Sequence, residues 1–200
     1  EVAKETGAGG CKFHDAVEQE VMPVVRELQT ARRQQLNLPA LRPWDMAVDP
    51  MNRPALRPFQ DVGALAEGAQ KIFDRLDPGL GGDFRLMREQ RLLDLDNRKG
   101  KAPGGYQSNL SECRLPFIFM NAVGLQRDVE TLLHEGGHAF HALATKDEEL
   151  FAYRNNVPLE FAEVASMSME LLGNQHLDVF YDEAGARRAR RAHLETVVTI

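Results

Sequence analysis

A mainly α-helical domain with one small β hairpin is the fold class that this 200-residue sequence predicts. Three observations lead there. Apolar residues recur at helical spacing through most of the chain. Two short runs between residues 104 and 121 carry β-type residues instead. The pattern His134-Glu135-Gly136-Gly137-His138 sits in an apolar stretch that also reads as helix.

Composition narrows the function. Apolar content of 43% supports a substantial core, in one domain or two small ones. A formal charge of -6 argues against nucleic-acid binding. No apolar run reaches the length of a membrane span, so no membrane partner is expected. Cys11 and Cys113 make no disulfide framework, which fits a reducing, cytoplasmic setting. No signal peptide is visible. The sequence starts at Glu1 without an initiator Met and stops at Ile200 inside helical patterning, so it reads as a piece of a longer protein.

In chain order, residues 1–12 are Gly-rich and read as a loop. From Phe13 to Leu36, Val17, Val21, Val24, Val25 and Leu28 recur at helical spacing. Pro23 should kink or break that helix. His14, near its start, reads as a capping or solvated residue. Five prolines between 37 and 60 exclude a long regular element, and Trp44 in that loop reads as a packing anchor. Helices follow over Val62–Leu76 and Asp83–Leu92, separated by Gly79, Gly81 and Gly82. Asp94 to Lys101 reads as a polar turn. Gly104–Gln107 and Leu115–Asn121 read as the two strands of the hairpin, turning near Asn109–Glu112. Phe117 to Met120 is apolar on both faces and should be covered. As an edge strand beside a site, Phe117–Asn121 could pair with an extended peptide; a purely structural hairpin is the alternative. Tyr106 and Phe119 are the substrate-side candidates.

His134 and His138, four residues apart, project from one helix face and can close on one Zn²⁺ at roughly 2.0–2.1 Å each. Glu135 lies on the flank of that face, where it reaches a zinc-bound water rather than the metal, the general-base position. Leu132, Leu133, Ala139, Phe140 and Leu143 mark the helix as buried rather than as a solvated helix with incidental histidines. Gly136 and Gly137 each cost about 1 kcal/mol relative to alanine. Two glycines kept inside a buried helix imply close approach of another backbone or a ligand. Asp128 is the expected N-cap, with Glu130 in the first turn. His141 lies seven residues beyond His134, a rise of about 10.5 Å, too far to share one ion. It is assigned to packing or to support of a ligand.

Pro158 opens the next helix, Leu159 to Leu172, on which Glu163, Ser166, Met167 and Glu170 share a face. Glu163 stands among Phe161, Ala162, Val164 and Ala165, where a buried carboxylate needs a partner. Two histidines and one glutamate are a common catalytic zinc set, so Glu163 is the third ligand candidate, with Glu160 its more solvated rival. Glu170 either orients a ligand histidine or is a surface charge. The last helix starts near Asp178–Asp182. Its Arg187, Arg188, Arg190 and Arg191 read as a solvated face.

The words HEGGHAFH and PLEFAEVASMSMELL resemble the oligoendopeptidase F branch of the thimet oligopeptidase family of zinc metallopeptidases. LDLDNRKGKAPGGY and LPFIFMNAVG extend the likeness, and more weakly so does the LRPWD loop. The resemblance implies a multi-helix, zincin-like catalytic core with a small β element, one Zn²⁺ per chain, and cleavage of short peptides in a deep channel. By position His134, His138 and Glu163 match the family's zinc ligands and Glu135 its catalytic base. Family members are much longer and place a histidine and tyrosines for the oxyanion beyond the zinc helices. Tyr181 and His193 do not fall in that motif. The chain thus reads as part of the catalytic domain of a zinc endopeptidase. Three alternatives stay open: a zinc-binding but inactive fragment or scaffold, a related helical zinc carboxypeptidase, and a metal-free helical interaction module.

Overall fold

The computed structural model describes residues 12–150 and 157–199. The Gly-rich stretch expected at the N-terminus lies outside them except for Lys12, as do Asn155 and Asn156 of the connection before Pro158. The chain divides into two compact units, one of residues 56–190 and one of residues 1–55 with 191–200.

In the second of these units the first helix is interrupted as Pro23 requires. A π-helical turn, Val17–Val21, precedes α1, Met22–Gln35. Proline has no N–H to give and its ring crowds the carbonyl a turn earlier, so the wider turn sits just before it. The proline-rich loop forms one 3₁₀ turn, Pro43–Ala47, held from outside by Arg32, which donates to the carbonyls of Asp45 at 3.2 Å and Met46 at 2.6 Å. Trp44 is not the anchor expected: it is 65% exposed, with the Arg42 guanidinium 5.5 Å from its ring. The turn is held through its main-chain carbonyls, so the indole is not needed for packing.

The other unit carries the core. Asp61 caps α2, Val62–Leu76, by accepting from the Ala64 N–H at 2.9 Å. α3 spans Pro78–Glu89 rather than starting at Asp83, so the glycines expected to separate the helices lie inside it. Asp77 accepts from the Gly79 and Leu80 N–H groups and Pro78 takes the first turn, a strong start signal that overrides glycine's poor propensity. Gly81 is there for space: a Cβ would fall 2.0 Å from Asp74 Oδ1, and Gln70 donates to the Gly81 carbonyl at 2.8 Å. Arg91, at φ 56°, ends the run.

Three strands follow rather than two: β1 Leu93–Asp96, β2 Tyr106–Leu110 and β3 Leu115–Ala122, in the order β1-β3-β2. The supposed polar turn at Asp94–Asp96 is therefore strand, pairing parallel with β3, while β2 pairs antiparallel with it. β3 is consequently the central strand and has no open edge for a peptide; β2 lies at the sheet's margin. Ile118 and Met120 are buried and Phe117 and Phe119 half-buried on the opposite face. Phe119 is covered by Tyr106, with ring centroids 4.9 Å apart, and by Lys101 Nζ at 4.5 Å.

α4, Gln126–Ala144, lies against the sheet with Leu132, Leu133, Ala139, Phe140 and Leu143 buried. Its N-cap is Leu125, not Asp128; Asp128 sits one turn in and accepts from the Val123 and Leu125 N–H groups, both at 2.8 Å. α5, Leu159–Gly173, follows, then a 3₁₀ turn, Asn174–Val179, and α6, Glu183–Thr199. The core joins α2, α3, β3 and α4 around Phe73, whose ring lies 5.0 Å from that of Phe84 and 4.8 Å from that of Phe140. Among the described residues no helix is long and apolar enough to cross a membrane.

Candidate metal centre

α4 presents His134 and His138 one turn apart on a single face, their rings 4.8 Å apart and near perpendicular. α5 brings Glu163 to them: Oε2 is 3.3 Å from His134 Nε2 and Oε1 is 3.7 Å from His138 Nε2. One ligand atom from each of the three lies within 4.8 Å of the others. Two imidazoles and a carboxylate suit zinc, so the donor set fits the ion that the sequence implies.

The helices meet this closely because of the paired glycines. A Cβ on Gly137 would lie 2.6 Å from Ala165 O and 2.6 Å from Ser166 Cα, so only glycine lets the α5 backbone in. A Cβ on Gly136 would strike the Phe73 ring. The close backbone expected beside the glycine pair is found at Gly137; at Gly136 the neighbour is a side-chain ring instead.

Supporting bonds orient the cluster. His134 Nδ1–H donates to Glu170 Oε1 at 2.5 Å, which leaves Nε2 facing Glu163 with its lone pair. Glu170 is only 13% exposed and is not a surface charge. Ser166, fully buried, donates to Glu163 Oε2 at 2.7 Å. Glu163 itself is not enclosed by its apolar neighbours, since Phe161 and Val164 are exposed at 69% and 63%; it is held by polar contacts. Glu160 is exposed and stands apart from the three, and so does His141, whose charge acts on His138 from a distance.

The site's electrostatics follow from these neighbours. The hydrogen bond to Glu170 holds the His134 pKa above its ordinary value, against burial. Burial, then the charge of His134, pushes His138 down. Burial pushes the Glu135 carboxyl up, although His134 and the Gln107 backbone N–H favour its charged form. Glu135 is thus a buried carboxylate between the margin strand β2 and the metal face.

A cavity of about 400 Å³ opens beside the cluster, lined by His134, Glu135 and Glu170 at one end and by Arg127, Asp128 and Glu130 at the other. Gly104, Gly105, Met120, Asn121 and Thr131 complete it. Of the substrate-side candidates, Tyr106 is half exposed and stacked on Phe119, and neither lines this cavity. Sequence reasoning placed Ser166 on the right face without a role, and missed Arg127 and Gln107. Gln107 acts through its main chain, which leaves no mark in the letters.

A helical scaffold presenting H-E-x-x-H on one helix and glutamate from the next defines the zincin-like class. The family model of Peptidase family M3 matches residues 4–198, and the chain belongs to that family, on its oligoendopeptidase F branch. It is 26% identical over 149 residues to an oligoendopeptidase F homolog of Lactococcus lactis subsp. lactis (strain IL1403), covering 74% of this chain and 24% of that one. It is 36% identical over 96 residues to oligopeptidase PepF of Bacillus subtilis (strain 168), covering 48% and 14%. The solved structure of PZ peptidase A with inhibitor 2 superposes with a TM-score of 0.85 at 33% identity, over 94% of this chain and 33% of that one. The chain therefore spans about a quarter or less of the length of these two curated relatives.

Proposed function

We propose that residues 1–200 form part of the catalytic domain of a zinc-dependent endopeptidase that hydrolyses short peptides. One observation carries this reading: His134, His138 and Glu163 converge within 4.8 Å while the buried Glu135 carboxylate flanks them. Zinc held by those three would supply Lewis acidity, polarising a scissile carbonyl and bringing the pKa of water toward about 7.

The chain's own residues supply the rest. Glu135 takes a proton from the attacking water on a carboxylate oxygen and delivers it to the leaving amine. Glu170 fixes the His134 ring and Ser166 fixes the Glu163 carboxylate, so neither has to be ordered when substrate arrives. The margin strand β2 offers its backbone to an extended peptide. Two cysteines without a disulfide framework support a cytoplasmic setting.

The test is zinc content together with cleavage of a quenched-fluorescent peptide, for this chain and for Glu135→Gln. The substitution should keep the metal and abolish turnover. Turnover retained in the variant removes Glu135 from its role, and a chain that takes up no zinc removes the whole reading. Because the chain covers a third of the solved relative, a second reading is a zinc-binding but inactive piece. One zinc bound without cleavage, where a longer chain does cleave, selects it. Product analysis on one end-blocked peptide separates internal cleavage from carboxypeptidase trimming.

A further inference from the structure

We propose that Arg127 sets specificity by docking a carboxylate of the bound peptide, the C-terminal one, about three residues beyond the bond that is cut. The proposal rests on the peptidase reading above and adds a direction and a partner to it.

Direction comes from how β2 lies along α4. Gly105, just before β2, approaches Thr131 so closely that a Cβ would fall 2.8 Å from its Cγ2. The Gln107 N–H serves Glu135. Leu110 and Ala142 line one small pocket together. The strand steps of two and three residues, roughly 7 and 10 Å, match helix steps of four and seven residues, roughly 6 and 10.5 Å. Strand and helix therefore run the same way. A peptide added to β2 in the antiparallel sense, the pairing β2 already makes with β3 and the more stable per residue, runs the opposite way. Its C-terminal end then points along α4 towards Thr131 and Arg127.

Distance fixes the position. Arg127 precedes His134 by seven residues, so it lies on the same face about 10.5 Å away. That is about three residues of extended peptide.

Charge identifies the partner. Among the described residues lining the cavity, Arg127 is the one Lys or Arg. The acids around it are engaged: Asp128 holds the Val123 and Leu125 N–H groups, Glu170 holds His134, and Glu135 faces the Gln107 N–H. Glu130 accepts from Gln126 Nε2 at 3.3 Å and lies 3.6 Å from Arg127 Nη1. That last contact is long and the Arg127 side chain is 66% exposed, so the guanidinium can turn into the cavity. A guanidinium pairs with a carboxylate through two parallel N–H bonds.

Binding tests this without turnover. Zinc-loaded Glu135→Gln protein is titrated, by fluorescence polarisation, with N-terminally labelled peptides of one sequence. They end in a free acid, an amide, an amide with Glu at the third position after the cleavage point, or an amide with Lys there. The free acid should bind about tenfold tighter than the plain amide, as expected of a charge-assisted contact. Adding Arg127→Ala should erase the difference and Arg127→Lys should keep part of it. A Glu amide matching the free acid keeps the carboxylate docking and moves its source to a side chain. Equal binding of all four, tighter binding of the Lys peptide, an acid preference surviving Arg127→Ala, or no binding at all overturns the assignment. Cleavage by the Glu135 protein alongside any of these leaves the peptidase reading standing. An intact, Arg127-dependent preference without cleavage does the reverse.

Discussion

His134 and Glu170 are joined by a 2.5 Å hydrogen bond across 36 residues of sequence, and that bond decides which imidazole nitrogen faces Glu163. Without it the ring can present either nitrogen and can rotate. Glu170→Ala should therefore weaken zinc binding about 10- to 100-fold, the usual scale for such supporting partners. Glu170→Gln keeps an acceptor but no charge, and should fall between. Competition with a chromogenic chelator measures both. Affinity unchanged in Glu170→Ala would mean that His134 is oriented by packing alone.

Glycine carries opposite meanings at two helical positions, and alanine separates them. At Gly137 a methyl meets the main chain of Ala165 and Ser166, which cannot swing aside as a side chain could. Gly137→Ala should force α5 away, destabilise the fold by about 1–3 kcal/mol and lower zinc affinity as Glu163 and Glu170 retreat. At Gly82, in α3, a methyl meets nothing within 4 Å. Gly82→Ala should stabilise by about 0.5–1 kcal/mol through helix propensity alone. Urea denaturation with chelator present reads the fold terms apart from the metal. A Gly137→Ala protein as stable as the parent would contradict the close approach.

Lys101 is the polar residue on which the β1–β2 connection hangs. Its side chain is 2% exposed, and Nζ donates to the carbonyls of Asp94, Asp96 and Met120 and to the Asp94 carboxylate. Lys101→Met should destabilise by about 1–3 kcal/mol, because it leaves the Asp94, Asp96 and Met120 carbonyls without their donor, while Arg98 still pairs the Asp94 carboxylate. Arg98 and Lys101 hold the Asp94 carboxyl down at about 2. A folded-state pKa below the ordinary value adds stability above about pH 4 and loses it as pH falls through 2. Unfolding free energy measured from pH 6 down to pH 2 should decline less steeply in Asp94→Asn than in the parent. Parallel profiles would remove Asp94 from the acid response.

Those positions also show what the sequence could and could not disclose. The convergence of His134, His138 and Glu163 was legible because its pattern is local: two histidines a turn apart, and Glu163 and Glu170 spaced along one helix. α2 was legible to its ends because Asp61 caps it and its apolar stripe is unbroken. β1 was not, because Leu93-Asp94-Leu95-Asp96 is four residues long and its carboxylates resemble turn chemistry; a parallel strand is defined by a partner more than twenty residues away. Lys101 looked like one more solvated charge in a polar run, since only the folded chain gathers its acceptors. The start of α3 was misplaced for a related reason. Gly79, Gly81 and Gly82 read as helix breakers, whereas Gly81 is where α2 presses Asp74 against α3. Arg127 stayed unremarked because a charge at a helix start is ordinary until a cavity appears beside it.

Ser166 offers the sharpest separation of site from scaffold. Its hydroxyl has one proton, placed between Glu163 Oε2 at 2.7 Å and the Glu163 carbonyl at 3.1 Å, and its Cα sits against Gly137. Ser166→Ala keeps the close helix contact, gains a little helix propensity and loses only the bond to Glu163. Global stability should move by less than about 1 kcal/mol, since the lost hydrogen bond and the gained propensity oppose each other. Zinc affinity should drop several-fold, on the order of the weaker supporting contacts, because the carboxylate must then be ordered by the ion itself. Ser166→Thr restores the hydroxyl while adding a methyl in the tightest part of the interface, so it should recover affinity only at a cost in stability. Thermal unfolding in chelator and zinc competition, run on both variants, give the two readouts. If Ser166→Ala lost stability and zinc affinity in proportion, the residue would be part of the packing and nothing more.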